Sequence, residues 1–285
     1  MRVRSRTVYG LAVMLSAAAP WAAPWAALHA QAAAAGDAEW LAECQRDNWG
    51  RSRRAHVCEI RVERLPLPHP TTLTVDGGEY GGVTIMGWDG DSVVMHALVH
   101  ATGDSPDEAH DLASRVTISF SNGRIRADGP ASGHHDWWSV NYRIFVPRHS
   151  DLAIETLNGP MSVENVTGHM TMKAVNGPVS LRQVGGDVHA RAENGPIDVA
   201  LNGAKWDGAG LDAESENGPV ELTLPARYGA HLETGTENGP MDVHVPITLQ
   251  GNLNTRHLSL DIGGGGPPIR LITTNGPVTL RHESE

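Results

Sequence analysis

From His149 onward the chain reads in units of nine: HSDLAIETL, NGPMSVENV, TGHMTMKAV, NGPVSLRQV, GGDVHARAE, NGPIDVALN. The fourth and sixth places of each unit are mostly apolar. In the units that open on Asn-Gly-Pro, the fourth places are Met161, Val179, Ile197, Val220, Met241 and Val278, and the sixth are Val163, Leu181, Val199, Leu222, Val243 and Leu280. In the alternating units the fourth places are Leu152, Met170, Val188, Leu211, Leu232 and Ile269. Short runs of alternation predict strands with one face inward. Two units make a winding of about 18 residues, the period of a repeat architecture. The expected fold is all-β, a single-stranded parallel β-helix or solenoid, with two sides per coil. The eighth places of the alternating units, Thr156, Ala174, Ala192, Ser215, Thr236 and Thr273, are all small. That suits a flattened coil where its sides pinch together.

Asn-Gly-Pro recurs at Asn158, Asn176, Asn194, Asn217, Asn238 and Asn275, at spacings of 18, 18, 23, 21 and 37 residues. Extra residues at Gly203–Asp207 and Ala226–Tyr228 account for two of the longer intervals. The interval of 37 reads as two coils, with Leu258 and Leu260 at the apolar places of a degenerate first one. At a coil corner Gly permits a positive φ, Asn tolerates one, and Pro suits the start of a strand. Stacking would bring the six carboxamides together as an Asn ladder, since each has donors and an acceptor. The competing reading is a set of Asn-Gly hairpins in an antiparallel sandwich or propeller. Pro in the place where a hairpin strand would resume pairing weighs against it.

Upstream, Val83–Ile85, Val93–Val99, Val116–Phe120 and Val140–Val146 read as strands. One helix is expected over residues 105–115. Ser105 is its N-cap, Pro106 its first residue and Glu108 the capping-box acid, with Ala109, Leu112, Ala113 and Val116 on one stripe. The expected organisation is a signal peptide over 1–32, a cap segment over 33–68, irregular first coils over 69–148, the regular solenoid over 149–282 and a tail over 283–285. The leader reading rests on Arg2, Arg4 and Arg6 before the apolar stretch Leu11–Ala19, with a small-residue site at Ala30-Gln31-Ala32. The apolar run is too short and broken for a membrane span. Cys44 and Cys58 then sit in an oxidising compartment and are expected to pair. The bridge closes a 13-residue loop and contributes about 3 kcal/mol by constraining the unfolded chain.

Removing the leader leaves 19 basic against 33 acidic residues, a formal charge of −14. Nucleic acid needs a basic surface, so it is excluded as a partner, and anionic lipid gains nothing from this charge. The repeated Asn-Gly-x-Val/Ile-x-Val strands behind a secretory leader resemble the bacterial putative adhesin domains over residues 70–282. The resemblance implies a parallel β-helix fold. It supplies no catalytic residues.

Candidate chemistry lies on the outward places. Asp198, Glu221 and Asp242 fall in one row, and Glu193, Glu216 and Glu237 in another beside the Asn corner, with Asp212, Glu214 and Glu233 nearby. Like charges stacked about 4.8 Å apart repel unless water or a cation screens them. Calcium is the ion such oxygens would take. A solvated acidic face is the simpler reading, and no cofactor is expected. Trp206, in the short insertion, is a candidate ligand contact. The group His134, His135, Asp136, Trp137 and Trp138 could stack on a sugar or bind a metal, although a loop feeding a strand is the plainer account. No Ser-His-Asp grouping is readable along the chain. Gly263–Gly266 lacks the lysine of a phosphate loop. The expected function is an exported, non-catalytic, adhesin-like structural or binding module that meets a protein or glycan of the periplasm or cell surface. The alternative is a carbohydrate-active β-helix enzyme or a glycan-binding protein.

Overall fold

A computed structural model describes residues 36–46, 54–66, 71–133, 136–244 and 256–282. The leader over 1–32, His134, His135 and the tail over 283–285 lie outside the described residues. Two units divide after Trp40. Of the first, the described part is the start of a helix over residues 36–46 (α1); both sheets belong to the second. Among the described residues no helix is long and apolar enough to cross a membrane.

The protein is all-β; the described residues form two mixed ten-stranded sheets and two short helices. The first sheet contains β1 (Ala55–Leu65), β3 (Val83–Trp88), β4 (Val93–Gly103), β7 (Trp137–Pro147), β9 (Met161–Glu164), β11 (Val179–Arg182), β13 (Ile197–Ala200), β15 (Val220–Leu224), β17 (Met241–His244) and β20 (Val278–His282). The second contains β2 (Leu73–Asp76), β5 (Thr117–Ser121), β6 (Arg124–Asp128), β8 (Leu152–Thr156), β10 (Thr167–Ala174), β12 (Gly185–Ala192), β14 (Gly210–Ser215), β16 (Ala230–Thr236), β18 (His257–Ile262) and β19 (Pro268–Thr273). From β7 to β17 the chain passes from one sheet to the other at every strand. From β8 to β15 each strand pairs in parallel with the next strand of its own sheet, so equivalent apolar places stack. Met161, Val179, Ile197 and Val220 meet in series in the first sheet, as do Leu152, Met170, Val188 and Leu211 in the second. The buried sides of both sheets form one hydrophobic cluster.

The expected single-stranded parallel β-helix is met only in part, because both sheets are mixed and carry antiparallel pairs at their ends. β1, β4 and β7 pair antiparallel, as do β5 with β6 and β16 with β18. Helix α2 (Pro106–Arg115) matches its sequence signals. Ser105 Oγ accepts the Glu108 N–H at 3.2 Å, and Ala109, Leu112 and Ala113 are buried. Its last carbonyls receive the Arg61 guanidinium, at 2.9 Å for Ala113 and 2.5 Å for Val116. Helix α1 carries Cys44, which is joined to Cys58 on β1; it is a helix beyond the one that the capping signals predict.

The interval of 37 residues is not two windings in sequence order. Leu258 and Leu260 belong to β18, which runs antiparallel along the outside of β16. The final pair, β19 and β20, instead inserts between the two preceding windings. β19 lies between β14 and β16, and β20 between β15 and β17.

The Asn-Gly-Pro corner works differently from the expectation of a positive φ. None of its asparagines or glycines has one. Left-handed residues instead include Asn165 (φ 59°) and Gln183 (φ 53°), at the other ends of β9 and β11. Glycine is required here by close backbone approach. A Cβ on Gly177 would lie 2.1 Å from the Gly159 carbonyl oxygen, one on Gly195 2.1 Å from that of Gly177, and one on Gly218 2.2 Å from that of Gly195. Pro gives its carbonyl to the next winding. Met161 N–H donates to Pro178 at 2.8 Å, Val179 to Pro196 at 2.9 Å, and Ile197 to Pro219 at 3.0 Å. The small residues of the pinch serve the same corner. Ser215, Thr273 and Thr236 donate their hydroxyls to the carbonyls of Gly195, Gly218 and Gly276, each at 2.8 Å.

The carboxamides form one hydrogen-bonded chain. Asn176 donates to Asn158 at 2.8 Å, Asn194 to Asn176 at 2.9 Å, Asn217 to Asn194 at 3.0 Å, Asn275 to Asn217 at 2.9 Å, and Asn238 to Asn275 at 2.9 Å. Asn158 donates onward to the Glu79 carbonyl at 2.8 Å. All the amides point the same way, so each polarises the next.

Two outcomes follow for stability. Gly195→Ala places its new methyl against backbone that cannot swing aside, and urea unfolding should show a loss of at least about 2 kcal/mol. Gly264→Ala, where φ is +94° but no atom lies within 4 Å, should lose only about 1 kcal/mol of backbone strain. Asn194→Ala removes two ladder bonds and should lose about 2 kcal/mol, against about 1 kcal/mol for Asn238→Ala at the ladder's end. Equal losses at Asn194 and Asn238 would show that the ladder contributes nothing as a chain.

Candidate functional site

Outward places of the second sheet meet across windings just as the inward ones do, which lines up their charges. Asp76, Glu155, Lys173, Arg191 and Glu214 stand in register on β2, β8, β10, β12 and β14. Beside them His189, Asp212, Arg270 and Glu233 follow one another on β12, β14, β19 and β16. The sequence reading counted the carboxylates and missed the arginines, because Arg191 and Arg270 are 79 residues apart in the chain. Folding sets them on either side of β14. Arg191 reaches Asp212 at 2.8 Å and Glu214 at 3.5 Å; Arg270 reaches Asp212 at 2.7 Å, Glu214 at 3.4 Å and Glu233 at 3.8 Å.

Asp212 is the centre of this lattice. Burial disfavours its charge, but hydrogen bonds from Arg191 and Arg270 outweigh that and hold its carboxyl below the ordinary carboxylate range. Burial likewise works against the Arg270 charge, and the bonds to Asp212 and Glu214 raise it above the usual guanidinium value. Toward the Asn corner the face opens into a trough of about 630 Å³, lined by Asp76, Glu155, Lys173, Arg191, Glu193, Glu214 and Glu216 among others. No aromatic side chain lines it.

The two expected acidic rows are interrupted. Asp198 is followed in space by Glu221, then Thr279, then Asp242. Next to the Asn corner Thr274 separates Glu216 from Glu237, as the backbone bonds from Thr274 to Ser215 and from Glu237 to Thr273 show. Both interruptions come from the inserted last winding. Arg182 lies 3.4 Å from Asp198, and Arg281 3.0 Å from Glu221, so cations of the chain itself meet these carboxylates.

Trp206 is not a surface contact. It is 2% exposed, and its indole donates to the Gly186 carbonyl at 2.9 Å, so the insertion that carries it packs onto the preceding winding. Trp137 sits edge-on to the buried His100 at 4.9 Å, and Trp138 donates to the Pro130 carbonyl at 2.8 Å. Both rings of the expected His-Trp group are thus engaged in packing. Ser259, His231 and Asp261 are brought together although they are scattered in sequence. His231 Nδ1 lies 2.8 Å from Asp261 Oδ1 and its Nε2 3.5 Å from Ser259 Oγ. The order is that of a nucleophile, base and orienting acid, but the Ser–His distance is at the outer limit of a hydrogen bond. Ser259 and Asp261 are exposed on the outermost strand.

The Asp212 lattice carries a pH signature. A folded carboxyl held below its unfolded value adds stability above the ordinary pKa of about 4 and loses it as pH falls through the lower folded value. Asp212→Asn should therefore lower stability near pH 7 by about 1 kcal/mol, the screened surface position keeping it small. The wild-type and variant denaturation curves should converge as the solution is acidified. Curves that stay parallel would show that the pairing is without consequence.

No family model and no curated protein matches the chain. The resemblance read from the sequence has counterparts among solved structures. A putative cell adhesion protein from Clostridium sporogenes is 9% identical, with 80% of this chain and 100% of that chain covered and a TM-score of 0.42. A putative adhesin from Bacteroides fragilis is 12% identical, with 80% and 97% covered and a TM-score of 0.36. A putative lipid binding protein from Parabacteroides distasonis is 9% identical, with 80% and 97% covered and a TM-score of 0.28. Likeness at this level assigns neither an activity nor a partner.

Proposed function

We propose that the protein is an exported, non-catalytic β-solenoid whose charged sheet face serves as an adhesin-like binding or structural module at the cell envelope. The observation that carries this reading is the register of the second sheet. Successive windings repeat the same outward places and set charged groups of both signs in rows across the sheet, Glu155, Lys173, Arg191 and Glu214 in one and Asp212, Arg270 and Glu233 in the next. In place of a walled cleft this face offers an open trough. A surface of this kind recognises an extended partner through many ionic contacts, which gives specificity and fast encounter. The Cys44–Cys58 disulfide suits an oxidising compartment outside the cytoplasm. The reading requires no cofactor, and the partner class is a protein or glycan of the envelope.

Its test uses immobilised protein and detergent-solubilised envelope fractions. Wild type should retain a component that elutes with salt, and Lys173→Ala combined with Arg191→Ala should fail to retain it while melting as a folded protein. Retention that is indifferent both to salt and to these changes would overturn a role for the charged face. Two further results would overturn the non-catalytic reading. One is product release from a polysaccharide panel. The other is covalent labelling of Ser259 by a fluorophosphonate probe, which reports an activated serine.

A further inference from the structure

We propose that His169, Asp187 and His189 form a surface site for one divalent transition-metal ion of the zinc or nickel class. Asp187 and His189 are two residues apart on β12, and His169 on β10 lies directly across from Asp187. Alternate residues of a strand share a face, and partners across adjacent strands stand about 4.8 Å apart, so the three side chains leave the sheet together. Asp187 already engages both rings. Its Oδ2 is 3.2 Å from His169 Nδ1, its Oδ1 is 3.1 Å from His189 Nε2, and the ring centroids are 6.2 Å apart.

Two imidazoles and a carboxylate form a donor set that zinc accepts, with its fourth position left to water or a ligand. An ion would draw each donor to about 2.0–2.2 Å, which requires the rings to turn inward from their present spacing. They can do so, because the three side chains are 57%, 48% and 45% exposed. Supporting groups are in place. His189 Nδ1 faces Asp212 Oδ2 at 3.9 Å, and Asp212 is itself held by Arg191 and Arg270. A carboxylate behind a ligating imidazole orients the ring and raises its basicity. Asp151 accepts the His169 backbone N–H at 2.8 Å. The charged groups around the two rings are thus Asp151, Asp187 and Asp212, with Arg191 and Arg270 drawn onto Asp212, and a cation is favoured.

A second cluster of metal-type donors, Cys44, Cys58 and His100, is more closely set, its ligand atoms all within 4.8 Å of one another. Its sulfurs are joined to each other, so they offer no thiolate.

The site is independent of the adhesin-like reading. It is tested by titrating zinc chloride into the folded, untagged protein at pH 7.5 in a calorimeter. The chain contains 15 histidines, so assignment depends on variants. One ion should bind in the micromolar range. His169→Ala and His189→Ala should each weaken it by about tenfold or more, and Asp212→Asn by less. His231→Ala, an exposed histidine elsewhere on the same sheet, should leave the affinity unchanged. Circular dichroism melts would establish that every variant is folded. Absence of binding at millimolar zinc would overturn the proposal. So would a wild-type affinity that survives both His169→Ala and His189→Ala, or one that His231→Ala lowers equally.

Discussion

The contact on which the rest of this structure depends is glycine backbone against glycine backbone at the Asn-Gly-Pro corner. Each corner rests on the one beneath it so closely that a single added carbon would collide with a carbonyl oxygen. Because no side chain can intervene, successive windings have only one register. The remaining regularities descend from that register. The proline carbonyl meets the N–H that follows the neighbouring proline, the small hydroxyls reach glycine carbonyls, and each carboxamide finds the next.

A fixed register has a cost on the outside. It forces every outward residue to face its counterpart one winding away, so like charges would stack. The chain limits this in two ways. On the second sheet it mixes signs: Asp76 beside Glu155 and Lys173 beside Arg191 are like-charged pairs, but Glu155 also meets Lys173, Arg191 also meets Glu214, and Arg270 stands between Asp212 and Glu233. Beside the Asn corner and on the first sheet it sets threonines between the acids, at Thr274 and Thr279. The face that results carries both signs, with Asp76, Glu155, Asp212, Glu214 and Glu233 against Lys173, Arg191 and Arg270, in a chain that is acidic as a whole.

The same logic places histidines. His169, Asp187 and His189 are neither close in sequence as a set nor part of the nine-residue signature. They meet because one winding separates two of them and one strand step separates the others. Ser259, His231 and Asp261 meet for a comparable reason, through the antiparallel pairing of the outermost strand. Chemistry on a stacked sheet is thus assembled from residues about one period apart, and a search for compact motifs along the chain passes over it.

What the sequence determined alone was the local rule. The apolar places, the small residues at the pinch, the Asn-Gly-Pro corners, the capped helix α2 and the paired cysteines are all legible, because each depends on neighbours a few residues away or on a period that repeats. The periodic text could not state the order of windings. The last winding inserts between its two predecessors, and β18 turns back antiparallel along the outermost edge. Nothing local distinguishes that order from simple succession, since every winding presents the same corner to its neighbours. Only the tertiary structure decided which charges meet, that Trp206 is buried, and that glycine is needed at the corners for close approach instead of backbone handedness. Those outcomes depend on contacts between segments whose separation the repeat leaves undefined.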